Sequence, residues 1–387
     1  MEFTMERTFH PVGHGAFYTE RFTLPDRTYN IVYDCGCFEA AKKGMNRKQY
    51  CERIYSIIDS CFKENDVIDA LFISHFHTDH ILGVAHLSER CDIKRIVLPQ
   101  LSQAEILAIL LEEICDYNDN YPIDEMAESW QAIYSDKVER IEVLKDDLND
   151  VDVREINLET IKDSVASGSR LRFLDKWVYI PFNSPISQEK VNDLYDAVNR
   201  ECNEIFNGDK ICFDELRKYL ESDVNREKLK SAYIAVFKKE KMNETSMILY
   251  SGMLGCNQKC ERHCGKALHY ANRYCTLNCL YLGDFEAKKQ NYFDGLMEVY
   301  KPYFKHIGII QVPHHGSNNN YNANLYSSSS PDKSSILHRI CLVSADSNDE
   351  YGHPDEDVLD GIQKEGGIPI LVTEFPKTKQ VFRFCSV

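Results

Sequence analysis

The run His75-Phe76-His77-Thr78-Asp79-His80 constrains this chain more than any other stretch. It follows directly on Ile68 to Ser74, a short apolar segment that reads as a strand buried on both faces. In extended backbone, residues two apart point the same way, so His75, His77 and Asp79 face one side of the strand end. His80, at the start of a helix expected over Ile81 to Leu87, swings to that side as well. Imidazole and carboxylate are donors that suit Zn²⁺, Mn²⁺ or iron. Four such donors within six residues exceed what one tetrahedral ion with an open position takes. Two ions ~3.5–4 Å apart divide them.

Strand and helix signals alternate on both sides of a polar middle. Before it, Thr19 to Leu24, Tyr29 to Tyr33 and Ile93 to Leu98 read as strands, and Arg47 to Phe62 and Leu101 to Cys115 as helices. After it, strands are expected at Ser246 to Tyr250, Asn278 to Leu282, His306 to Val312, Arg339 to Ser344, Ile368 to Thr373 and Gln380 to Cys385. Helices fit Glu286 to Tyr300 and Pro354 to Lys364. This alternation implies an α/β protein with two helix-covered sheets, a four-layer sandwich, in one domain over residues 1–387. The middle, residues 116–240, reads as a helical insertion or cap. Its helices are expected over Gln188 to Cys202 and Phe213 to Phe237, with one strand at Phe173 to Ile180.

Charge and cysteine usage narrow the class. A formal charge of −16 argues against a long basic groove for duplex nucleic acid. No segment reaches the ~18 apolar residues of a membrane span, and no signal-peptide pattern opens the chain, so a cytoplasmic protein without membrane insertion is expected. Its 15 cysteines fit reduced thiols or metal ligands better than a disulfide framework. Five of them, Cys256, Cys260, Cys264, Cys275 and Cys279, crowd a second insertion at 251–279 and are candidate ligands of an additional structural zinc. The other reading of that stretch is a loop of free thiols.

Further motifs stand at the ends of apolar runs. Asp34 ends Val32-Tyr33-Asp34-Cys35-Gly36, and Asp284 ends Leu280-Tyr281-Leu282-Gly283-Asp284. Val312-Pro313-His314-His315-Gly316-Ser317 closes another run, and Tyr351-Gly352-His353-Pro354 precedes a helix. With these, the His-x-His-x-Asp-His cluster resembles the metallo-β-lactamase superfamily, whose fold is an αββα sandwich. The series Pro11-Val12-Gly13-His14-Gly15-Ala16, Asn243-x-x-Ser246-x-Ile248-Leu249, Leu282-Gly283-Asp284 and His314-His315-Gly316-Ser317 looks most like the branch of DNA-uptake competence proteins and phosphorylcholine esterases. That likeness covers roughly residues 1–100 and 240–387 and leaves the middle uncovered.

The resemblance implies two divalent ions, Zn or Mn, on His75, His77, Asp79, His80, Asp284 and His315, with Asp284 bridging. It implies that Asp34 supports the ligand histidines from behind. It also implies a metal-bridging hydroxide oriented by Asp79, with His314 beside the substrate and His353 at its phosphate. His314 and His315 are interchangeable in this reading. The superfamily's usual mid-chain ligand histidine is missing, and the Asn243 to Ser246 segment stands in its place, so the third protein ligand of the first ion is open. The expected function is a phosphodiesterase or nuclease acting on single-stranded nucleic acid or a small nucleotide. The alternatives are a hydrolase effector of a multiprotein defence or stress system, switched by a protein partner on 116–240, and a non-catalytic binding protein or (thio)esterase on the same fold.

Overall fold

Two eight-stranded sheets, each made from short apolar runs, face one another in the computed structural model. It describes residues 2–38, 47–117, 122–145, 154–184, 188–208, 210–238, 246–253, 278–327, 339–347 and 352–385. Across the first sheet the strands run Ser164–Ala166, Glu139–Leu144, Arg95–Pro99, Ala70–Phe72, Thr28–Cys35, Phe17–Thr23, Thr4–Phe9 and Gln380–Cys385. Across the second they run Ile368–Val372, Ile340–Ser344, Ile307–Gln311, Asn278–Tyr281, Ile248–Met253, Trp177–Phe182, Arg170–Phe173 and Glu155–Asn157.

Each sheet is mixed. Thr28–Cys35, Ala70–Phe72, Arg95–Pro99 and Glu139–Leu144 are parallel neighbours. So are Asn278–Tyr281, Ile307–Gln311, Ile340–Ser344 and Ile368–Val372. Parallel pairing buries both faces of a strand and needs helical crossovers, which explains the continuous apolar runs in the sequence.

Three separate apolar cores define the layers. One lies between the first sheet and the helices outside it, including Val84–Arg90, Gln103–Tyr117 and Ile123–Ile133. The second fills the space between the sheets and is rich in aromatic rings such as Phe9, Tyr18, Phe22, Trp177 and Tyr281. The third lies between the second sheet and the helices Gln290–Tyr300 and Glu356–Lys364. Helix, sheet, sheet, helix is the four-layer order expected from the alternation of elements.

The middle segment divides in two. Residues 139–182 supply five strands, two to the first sheet and three to the second, so this part lies inside the sandwich. In Glu139–Leu144 only Ile141 and Val143 are buried, a period-two pattern that leaves half the strand polar and makes it look like loop in the sequence. The helices Gln188–Glu201 and Asp223–Phe237 pack outside, on Gln103–Tyr117. The single helix expected over 213–237 is two, Phe213–Leu220 and Asp223–Phe237, because Ser222 takes an extended backbone (ψ 121°) between them. Among the described residues no helix is long and apolar enough to cross a membrane.

The parallel strands of both sheets end on one side of the molecule. Ligands of open α/β sheets characteristically bind beyond the carboxyl ends of such strands. Asp34, His75, Asp284, His314 and Ser344 all lie at these ends.

Candidate metal centre

The His75–His80 run turns from strand into helix at this edge. Ala70–Phe72 ends, the chain bends at Ser74, and after His77, whose backbone is extended, Thr78–Ile81 makes one helical turn. Glu113, on the helix Gln103–Tyr117, accepts hydrogen bonds from the Thr78 backbone N–H and, at 2.9 Å, from Thr78 Oγ1. That carboxylate satisfies orphan donors of the turn and fixes its start. Opposite, Gln311 Oε1 accepts the N–H groups of Leu282 and Gly283 at 2.7 and 2.8 Å, which sets the turn carrying Asp284. Gly283 has φ 53°, and a Cβ there would meet the Ser74 side chain, so the turn has no room for another residue.

Two overlapping groups of donors result. Asp79, His80, Asp284 and His315 each offer one atom within a common 4.8 Å, and His75, His77 and Asp79 form a second such group. His80 Nε2 lies 3.3 Å from both Asp79 Oδ2 and Asp284 Oδ1. His315 Nε2 lies 2.9 Å from Asp79 Oδ2 and 4.0 Å from Asp284 Oδ1. His75 Nε2 is 3.6 Å from Asp284 Oδ2. Asp79 thus belongs to both groups, and Asp284 stands between His75 on one side and His80 and His315 on the other.

The far nitrogens of these rings are held from behind. His80 Nδ1–H donates to Asp34 Oδ2 at 2.8 Å, and His315 Nδ1–H to the Ser344 carbonyl at 2.8 Å. His75 Nδ1 lies 2.9 Å from Ser74 Oγ and 3.2 Å from Ser246 Oγ. Ser246 Oγ also accepts the Asp284 N–H at 3.0 Å. Such partners fix the tautomer and leave Nε2 with its lone pair aimed at the centre.

The donor set fits divalent cations. Nε2 of His75 and His80 and Oδ1 of Asp284 are buried and have no hydrogen-bond partner. Buried polar atoms are normally satisfied, and three unsatisfied ones within the same two donor groups are what a cation site requires. Electrostatics agree. Burial opposes ionisation of Asp79, but His80 and His315 outweigh it and hold that carboxyl well below the usual range. Burial likewise opposes ionisation of Asp284, and His314, His80 and His75 overcome it. Both carboxylates are therefore available as anionic ligands.

Other residues singled out in the sequence sit around this centre. His314 is outside the four-donor group. Its Nε2 lies 3.8 Å from Asp284 Oδ2, and its Nδ1 lies 2.8 Å from Asn320 Oδ1. The His353 ring stands 5.9 Å from that of His314. Cys279 is in the strand Asn278–Tyr281 and buried between the sheets; Cys256, Cys260, Cys264 and Cys275 fall outside the described residues, as do Asn243 and Tyr351.

Three groups escaped the sequence reading as site residues. The His14 ring lies 3.7 Å from that of His315. Glu112 Oε2 lies 3.8 Å from His77 Nε2, and Asn320 holds His314. No fixed spacing announces Glu112 in the sequence. His14 was visible only as part of a glycine-flanked loop.

Residues 24–104 match the family described as the metallo-beta-lactamase superfamily. The matched stretch holds Asp34 and the whole His75–His80 run. The fold is the metallo-β-lactamase αββα sandwich. Among solved structures, the metallo-beta-lactamase fold protein YhfI from Bacillus subtilis matches at 9% identity with a TM-score of 0.32, over 98% of this chain and 100% of that one. No curated protein matches. The family match and the buried donor groups together suggest a metal-dependent hydrolase.

Proposed function

We propose that this chain is a hydrolase of phosphodiesters that works with two divalent ions. The observation that carries this reading is the pair of donor groups sharing Asp79, with Asp284 between them. His75 and His77 would hold one ion, and Asp79, His80 and His315 the other, with Asp284 reaching both. When bound, the ions supply Lewis-acid polarisation of the ester and a more acidic water at neutral pH.

The chain's own groups do the rest. Asp79 accepts a hydrogen bond from the attacking water and orients it. Asp34 and Ser344 keep His80 and His315 turned inward. His314, held at Nδ1 by Asn320, presents Nε2 beside Asp284, where its protonated form can give a proton to the leaving oxygen. His353, on the rim next to His314, contacts the phosphoryl oxygens.

The likeness of the flanking motifs to phosphodiester-cleaving relatives favours phosphorus over carbonyl esters. The charge of −16 favours a small nucleotide or a single strand over long duplexes. The test is a substrate panel of bis-p-nitrophenyl phosphate, cyclic nucleotides, single-stranded oligonucleotides, thioesters and a β-lactam, each with Mn²⁺ or Zn²⁺. Phosphodiester cleavage that EDTA abolishes, and that Asp79→Ala or His80→Ala lowers by ~100-fold or more, is expected. Turnover confined to carboxylic esters or thioesters, or full activity of those variants with unchanged metal content, would refute the reading.

A further inference from the structure

His77 is the exception among the ligand histidines. His75, His80 and His315 each have Nδ1 held by a hydroxyl, carboxylate or carbonyl and Nε2 turned to the centre. Among the described residues nothing holds His77 Nδ1 in this way, and its Nε2 is buried without a hydrogen-bond partner. The nearest carboxylate oxygen to that Nε2 is Oε2 of Glu112, 3.8 Å away. Glu112 is only 4% exposed and sits on the outer helix Gln103–Tyr117, whose neighbouring residues Ile109, Leu110, Leu111 and Ile114 are buried apolar side chains.

Burying a carboxylate in such a helix is costly unless it meets a donor or a positive group. The helix is also fixed against the His77-Thr78 step, because Glu113, the next residue, holds both the backbone N–H and the hydroxyl of Thr78. The reach of Glu112 to His77 is thereby set by its neighbour. Glu112 does not share the 4.8 Å space of the His75, His77 and Asp79 donors. It stands behind His77 and not within the ion's ligand set.

We propose that Glu112 is the positioning carboxylate of His77: it takes the Nε2–H of that imidazole and so turns Nδ1, not Nε2, toward the first ion. This rests on the reading of His77 as a metal ligand. It gives the first ion's site the kind of anchor that Asp34 gives the second, supplied by a helix at the start of the segment the family resemblance does not cover. It also compensates for the missing mid-chain histidine: a site with few protein ligands depends more on each ligand's being held in place.

The test is Zn²⁺ titration of the full chain against a chelating dye, resolving two equivalents, for the wild type, Glu112→Gln, Glu112→Asp and Glu105→Gln. Glu105 is on the same helix and 2% exposed, but pairs with Lys145 away from the centre. Glu112→Gln is expected to weaken one equivalent about 10–100-fold and leave the other unchanged. Glu112→Asp should fall between, and Glu105→Gln should alter neither. Nitrogen-15 NMR of the zinc-loaded wild type should show one ligand histidine metallated at Nδ1 and protonated at Nε2, and that pattern should be lost in Glu112→Gln. If Glu112→Gln does not fold, Glu112→Asp carries the measurement, and an unweakened first equivalent there overturns the proposal. Two unweakened equivalents in Glu112→Gln, or equal weakening of both in Glu112→Gln and Glu105→Gln, also overturn it while leaving the two-metal reading standing. A wild type that takes up no ion removes that reading itself.

Discussion

Asp34 shows how tightly single residues are constrained here. Its backbone is left-handed (φ 52°), and His314 and His315 adopt φ 48° and 55°. Non-glycine residues rarely adopt this region, and such strain collects where function fixes the chain. Three of the seven described non-glycine residues with positive φ are therefore at the centre. Asp34 accepts three hydrogen bonds, from the Ser74 N–H, the Ser74 hydroxyl and His80 Nδ1. Asparagine tolerates the same backbone. Its amide, however, would turn a donor toward one of those three donors. Asp34→Asn is thus expected to fold, and to lower the affinity for one ion about 10–100-fold, measured by equilibrium dialysis with elemental analysis. Unchanged uptake would show that His80 needs no anion behind it.

At the scale of elements, the site depends on strand ends, and so did its legibility. The His75–His80 run could be read because its donors are close in sequence and follow an apolar run. Asp284 and the His314-His315 pair could be read because each closes a strand. Glu112 could not, since a carboxylate on a helix normally marks a solvated face, and only packing turns this one inward. Glu139–Leu144 and Glu155–Asn157 were hidden by their charged residues, because strands near a sheet margin are half exposed.

The first strand offers a separate prediction. His10, just past Thr4–Phe9, stacks on Phe17 at 4.6 Å, bonds Thr19 Oγ1 through Nε2 and lies 3.5 Å from Cys61 Sγ on the helix Arg47–Cys61. Burial, with smaller contributions from Lys379 and Arg21, pushes its pKa down from 6.5 to about 3. The unfolded chain therefore binds a proton that the folded one refuses between those values, and stability falls as pH drops through that window. It is fully present above about pH 6.5. Replacing His10 by Gln should flatten the acid limb of the urea-unfolding stability of the metal-free protein between pH 6.5 and 3. An unaltered limb would place the titrating group elsewhere.

Over the whole molecule, a buried polar hub pins the two sheets together. Arg7 and Glu20, from the first sheet, form an ion pair with 0% and 4% side-chain exposure. From the second sheet, Ser251 Oγ accepts from Arg7 at 3.1 Å, and Tyr179 and Tyr281 donate to Glu20 at 2.7 and 2.8 Å. Removing one charge leaves the other buried and unpaired, so Arg7→Met or Glu20→Gln should cost about 3–5 kcal/mol in urea unfolding. The double variant should recover part of that loss. Equal loss in the single and double variants would show that packing alone, not charge pairing, sets the sheet-to-sheet register.

His80 follows a strand of the first sheet and Asp284 a strand of the second, and they meet only after a long stretch of chain has been laid down between them. An ion gripped by both would act as a reversible cross-link closing that long loop. The entropy such a link removes from the unfolded chain grows with the logarithm of loop length. No partly folded half could hold the ion with its full set of ligands, so uptake becomes a reporter of completed assembly. Release of the ion would then loosen a sandwich that the Arg7–Glu20 hub and the aromatic core still hold together, and a chelator would lower the urea midpoint of this chain without unfolding it.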